Sequence, residues 1–410
     1  MRTRFTSSRV LTILALSLSA FFLMNANGDA DGPKGLNNQA AKELSDVGVD
    51  KYLGAFTPVS SEPFAGWTKH TFDKDSGNGP ICIAGGDYSV FTKAGNPEKL
   101  LIYLQGGGAC WENFPACNTT AEAQFPPPVG FLPGIFATSS PDGSIPNDIG
   151  DWSVVYFPYC DGSVFGGDND VAPDPFFGIR RHRGLRNLSA GMDVAAAEFG
   201  TKLEKVLVAG SSAGGVGSAV FAPFLARFLY GNNVELFVFN DAGPLALDPE
   251  NRRAAAVARA ADWDFTKFYP QSCIDEGLCD AQGQQTGIVQ WRLDNDSTIR
   301  EAFYETDGDG TNRGFASTNT PGAPVGFLTQ TEYRDIILTE HGLLNAAHPD
   351  RYKRFIISGD ATHTALRSND RYYTYEANGV PLHQWTNDFV KPPGNRSVWV
   401  DIVEDFVPLP

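Results

Sequence analysis

The stretch 206-VLVAGSSAGGVG-217 limits what the chain can become more than any other. Four apolar residues suited to a buried strand run straight into glycine, serine and alanine, where a core would otherwise need volume. G-x-S-x-G between a strand and a helix is the pattern of a nucleophile elbow, a sharp turn that lifts a serine hydroxyl above a sheet edge. Such a turn needs small neighbours. Gly210, Ala213 and Gly214 meet that need, and Gly215 adds clearance. An ordinary tight turn can share the motif, but the buried run before it and the apolar helical run after it favour a reactive Ser212 beside a helix N-terminus.

An elbow of this kind sits on a mostly parallel sheet, and the chain supplies the parts. Strand-like runs at 99-KLLIYLQ-105, 152-WSVVYFPY-159, 204-EKVLVAG-210, 234-VELFVFN-240, 287-GIVQWRL-293 and 354-RFIISG-359 alternate with helical segments at 184–200, 213–231 and 332–345. Several strands are apolar on both faces, as in a parallel sheet with helices on each side. The alternation predicts one doubly wound α/β domain over residues 61–410. The Pro/Gly-rich stretches 125–134 and 307–326 read as surface loops.

The first residues read as an export signal. MRTRFTSSR carries three arginines and no acid, and a 15-residue apolar run, 10-VLTILALSLSAFFLM-24, follows. That run is shorter than the ~20 residues a spanning helix needs, so residues 1–28 predict a cleaved secretion signal, not an anchor. No cysteine follows the run, which argues against a lipoprotein. Residues 29–60 are polar and read as a mobile leader with a short helix near 38–47.

Cysteine usage agrees with an oxidising destination, periplasmic or extracellular. Cys82, Cys110, Cys117, Cys160, Cys273 and Cys279 are even in number, and none shows the C-x-x-C spacing of a zinc or redox site. Cys110/Cys117 and Cys273/Cys279 are close in sequence, which leaves Cys82 and Cys160 as a distant pair. Net charge is −16, and −19 once Arg2, Arg4 and Arg9 leave with the signal. So acidic a surface repels phosphate backbones and excludes nucleic acid as a partner.

A serine nucleophile needs a base, and in this order of elements the histidine comes last. Of six histidines, His348 and His363 lie in late loops, while His341 belongs to a helical run and His383 to the tail. His363, in 358-SGDATHTAL-366, follows the last strand directly, whereas His348 precedes it and would lie at its opposite end. The acid should leave the strand before the histidine's. The segment 287-GIVQWRLDNDSTI-299 offers Asp296, which is favoured, and Asp294 close behind, with Asp241 third. Oxyanion donors are expected from 101-LIYLQGGGACWE-112, where backbone N–H groups of Gly107 and Gly108 join that of Ala213. The acidic run 305-ETDGDGTN-312 echoes half of a calcium loop but does not complete the EF-hand spacing, so it reads as an acidic turn.

With these residues placed, the chain resembles the pectin acetylesterase family. The matching pieces are 104-LQGGGACWE-112, 158-PYCDGSVFGG-167, 182-HRGLRN-187, 209-AGSSAGG-215, 240-NDAG-243, 288-IVQWRLD-294 and 359-GDATH-363, spanning roughly residues 64 to 405. The resemblance implies an α/β-hydrolase fold and hydrolysis of O-acyl esters without metal or cofactor. It implies Ser212 as nucleophile, His363 as base, and Gly107, Gly108 and Ala213 as the oxyanion hole. It pairs Cys110 with Cys117 and Cys82 with Cys160. The IVQWRLD segment aligns Asp294 with the acid of animal members, whereas the 296-DSTIR-300 context favours Asp296. The expected activity is therefore a secreted serine esterase that removes acyl groups, acetyl first, from a polysaccharide such as pectin. Two rivals are a lipase- or polyester-type hydrolase of longer esters and an inactive binding protein that keeps the fold.

Overall fold

Runs of Val, Ile, Leu and aromatic residues without alternation can be satisfied only by burial on both faces. In the computed structural model they are. It describes residues 35–410 apart from 113–116, 118–125, 131, 176, 246–258, 281–282, 284 and 319–327. The expected export signal and the tip of the 307–326 stretch lie outside the described residues.

Ten strands form one sheet: β1 (Ser60–Phe64), β2 (Trp67–Phe72), β3 (Tyr88–Lys93), β4 (Asn96–Leu104), β5 (Trp152–Phe157), β6 (Lys205–Ser211), β7 (Glu235–Asp241), β8 (Arg300–Thr306), β9 (Tyr352–Ile357) and β10 (Ile402–Val403). Their spatial order is β1-β2-β3-β5-β4-β6-β7-β8-β9-β10. From β5 to β10 every neighbouring pair is parallel, while β1, β2 and β3 extend the sheet antiparallel. The carboxyl ends of β4, β6, β7, β8 and β9 therefore share one edge, where loops can bring distant residues together.

Alternate residues feed two cores. Leu100, Ile102, Leu104, Val206 and Val208 pack on one face with Leu185, Leu188, Phe224 and Leu225. These partners come from α2 (Gly184–Phe199) and from α4 (Ala222–Tyr230), which follows α3 (Ala213–Ala219). On the other face Leu101, Tyr103, Leu207, Ala209, Phe237 and Phe239 pack with Trp385 and Phe389. The α/β-hydrolase-like arrangement expected from the sequence is present.

Three expectations need correction. The run 287–293 is not a strand: it lies in α5 (Thr286–Asn295), and the strand that follows is β8, 300-REAFYET-306. Within 307–326, residues Gly310–Thr318 form helix α6, which precedes α7 (Gln330–Ala347). From Gly35 onward the polar leader is folded onto the core rather than extended away from it. Its helix α1 (Asn38–Asp46) is where the pattern put it, capped by Asn37 Oδ1 on the Ala40 N–H at 2.8 Å. The helix docks: Ala40 and Leu44 are fully buried in the first core, and the Asn37 N–H donates to Asn295 O at 2.9 Å.

Candidate active site

Ser212 sits between β6 and α3 with φ 58° and ψ −122°, a conformation that side chains rarely adopt. The small neighbours are required by contact. A Cβ on Gly210 would lie 2.2 Å from Gly214 O, and one on Gly214 would lie 2.1 Å from Leu104 O. The elbow is thus pressed against the end of β4, and only hydrogen fits. The same strand end carries the glycine loop, where a Cβ on Gly107 would lie 2.0 Å from a Tyr159 ring carbon. The Ser212 N–H donates to Asp241 O at 2.7 Å, so its place is fixed by the neighbouring strand β7.

His363 leaves the carboxyl end of β9 in a turn that includes Thr364 at φ 60°. Its Nδ1 lies 2.5 Å from Asp309 Oδ2. Asp309 follows β8, the parallel neighbour of β9, and the two turns are tied by Thr306 Oγ1 donating to Thr362 O at 2.8 Å. Asp309 is fully buried and also accepts from the Asn312 N–H at 2.8 Å and from Asn312 Nδ2 at 3.1 Å. The carboxylate is therefore held by two donors of Asn312 as well as by the imidazole.

Neither expected acid touches this histidine. Asp296 is buried and takes Arg227 Nε at 2.6 Å and Nη2 at 3.2 Å, besides the N–H groups of Thr298 and Ile299 at 3.1 Å. Asp294 lies 2.9 Å from His348 Nε2. Both aspartates precede β8, so they sit at its amino end, across the sheet from the edge that holds Ser212 and His363. The carboxylate beside His363 was not among the candidates because 287-GIVQWRL-293 reads as strand but is helical, which moved the expected turn one element too early. The signal was present in the sequence: 305-ETDGDGTN-312, read as an acidic turn, contains Asp309.

Asp241, the third candidate, is buried on β7 and clamps two loops. Its Oδ1 accepts the Ala365 N–H at 2.9 Å, and its Oδ2 accepts the Leu366 N–H at 3.1 Å and the Ser211 hydroxyl. Ser211 Oγ in turn lies 2.5 Å from Tyr103 OH. One carboxyl therefore joins the serine's turn to the histidine's. Burial pushes it above the usual carboxylate range, against the pull of those donors and of His363. His341 and His182 are buried in the fold away from the His363–Asp309 pair. His341 stacks on Phe303 with ring centres 3.5 Å apart, and burial lowers it to about 3. His182, bonded through Nδ1 to Asp161 O at 3.0 Å, is likewise lowered by burial to about 3.

Gly107, Gly108, Ala213 and Ser212 line a cavity of about 100 Å³, walled further by Trp111, Val216, Trp263, Phe315 and Tyr333. Disulfides join Cys82 to Cys160, Cys110 to Cys117 and Cys273 to Cys279, as spacing and resemblance had paired them. Cys110–Cys117 directly follows the glycine loop. Among the described residues no single helix is long and apolar enough to cross a membrane.

The pectinacetylesterase family model matches residues 68–276. Among solved structures, the Wnt deacylase Notum from Drosophila superposes with a TM-score of 0.57 at 17% identity, over 80% of this chain and 94% of that one. At that identity the likeness is one of fold. No curated protein matches the chain in sequence.

Proposed function

From the chain's membership of the pectinacetylesterase family, which makes it an ester hydrolase, we propose that it is an exported serine esterase removing short O-acyl groups, acetyl first, from a polysaccharide such as pectin. The observation that carries this reading is the juxtaposition at one sheet edge of a strained Ser212 after β6 and a His363–Asp309 pair at 2.5 Å after β9 and β8. His363 Nε2 takes the Ser212 proton as Oγ attacks the acyl carbonyl, and Asp309 holds the Nδ1–H and offsets the imidazolium charge. The N–H groups of Gly107, Gly108 and Ala213 receive the oxyanion. The alcohol leaves with the proton from His363, and water then frees the acid from Ser212. No metal or cofactor enters. Three disulfides support a site of action outside the reducing cytosol.

Short acyl groups are the expectation from the family, and chain length is the property to test, because each buried methylene adds ~0.8 kcal/mol only where the pocket has room for it. Ser212→Ala should abolish p-nitrophenyl acetate hydrolysis and fluorophosphonate labelling without unfolding. Activity on acetate to palmitate esters should peak at the short end. Wild-type activity in Ser212→Ala would sink the mechanism, a wild type that fluorophosphonate does not label would point to a binding protein, and an optimum at long chains would favour a lipase-type enzyme.

A further inference from the structure

Glu305 and Asp309 place two carboxyl groups in one fully buried space beneath His363. Asn312 Nδ2 bridges them, 3.0 Å from Glu305 Oε2 and 3.1 Å from Asp309 Oδ2. One amide donor shared in this way keeps the two carboxyls near each other, where ionising the second is opposed by the charge of the first. Other neighbours of Glu305 are neutral donors: Tyr333 OH on α7 at 2.7 Å to Oε2, and the Thr306 N–H at 3.0 Å to Oε1. Tyr304 precedes it on β8, and His363 lies beyond Asp309 and bonds to that residue. The nearby guanidinium of Arg334 is directed to Asp307, at 2.7 Å.

We propose that Glu305 is a positioning residue, held as a neutral carboxylic acid whose proton lies in a hydrogen bond to Asp309 and fixes that carboxylate for His363. The functional part of this rests on the esterase reading above. The protonation state does not, because it follows from two like charges buried together. Burial, and after it the charge of Asp309, push Glu305 well above the usual carboxylate range. The sign follows. A raised folded-state value favours folding at low pH, and that contribution is lost as pH rises through it. Once Glu305 ionises, Asp309 loses its donor and faces a second negative charge. Activity should therefore fall on the alkaline side.

Infrared difference spectra of the wild-type protein against Glu305→Gln should show a protonated-carboxyl carbonyl band at neutral pH that the variant lacks. The same band in Asp309→Asn should disappear at lower pH, since the repelling charge is gone. Glutamine keeps a donor toward Asp309, so Glu305→Gln should retain kcat within about fivefold near neutral pH and lose the alkaline limb of the profile. An alkaline limb unchanged in Glu305→Gln would overturn the positioning role. If that variant does not fold, the wild-type and Asp309→Asn spectra still decide the protonation state. Spectra without the band would overturn the proposal and leave the esterase reading standing; loss of activity in Ser212→Ala with the band intact would support both.

Discussion

At the scale of single residues, the two aspartates at 296 and 309 separate structure from chemistry. Both are fully buried, but one faces arginine and the other imidazole. Asp309→Asn should leave the fold intact and lower kcat by something like the ~10⁴ seen when a triad acid is neutralised. Asp296→Asn should do the reverse. It leaves Arg227 buried without its counter-charge, a change that costs about 3–5 kcal/mol in comparable pairs, while kcat of the folded fraction stays near wild type. Thermal melts and acetyl-ester kinetics on the two variants check this. A crippled Asp296→Asn with a normal melting temperature would return the acid to the earlier position. The pair Asp294–His348 is instructive beside them: a carboxylate and an imidazole at hydrogen-bond distance, on the wrong edge of the sheet. Proximity of the two residue types is not enough; the strand ends decide.

At the scale of elements, legibility in the sequence depended on whether a segment's burial was apolar or ionic. Strands β4, β5, β6, β7 and β9 each contain an apolar run, and those runs mark them in the sequence. Strand β8 was missed, because 300-REAFYET-306 carries three charged residues that are nevertheless buried. Arg300 is paired with Glu235 at 2.7 Å, Glu301 with Arg292 at 2.8 Å, and Glu305 lies in the carboxyl cluster. No pattern of hydropathy reveals a strand whose charges find partners on other elements. The elbow and glycine loop were legible for the opposite reason, since steric need for hydrogen at Gly210 and Gly214 is written in residue type alone. A similar ionic tie holds the N-terminal segment down. Asp168 gathers Lys51 at 2.8 Å, Arg186 at 2.7 Å and Lys267 at 3.1 Å, from the segment after α1, from α2 and from a short turn. Burial alone would raise Asp168, but hydrogen bonds from Lys51 and Arg186 and the charges of Arg186 and Lys267 outweigh it and hold it at about 2. The folded value lies below the ordinary one, so this tie is fully present above about pH 4 and lost as pH falls through 2. Asp168→Asn should lower the melting temperature at neutral pH and flatten its fall between pH 4 and 2. An unchanged acid limb would show that the cluster does not couple these elements.

At the scale of the whole molecule, the Cys82–Cys160 disulfide spans 78 residues that include β3, β4, the glycine loop and β5. Cross-linking a loop of that length removes about 4–5 kcal/mol worth of unfolded-state entropy in the chain-closure model. Replacing both cysteines by alanine should lower stability by several kcal/mol in a denaturant titration, with esterase activity of the folded protein kept. A loss under about 1 kcal/mol would mean that the sheet alone sets the unfolding free energy. The backbone at Ser212 acts in the other direction. At φ 58° glycine would be the better-fitting residue, so the hydroxyl is kept at a conformational cost of about 1–3 kcal/mol. Under selection for heat tolerance alone, with no demand for turnover, position 212 would be among the first to drift to glycine. Improving the chain as a solid object and preserving it as a reagent are, at that one residue, opposite goals.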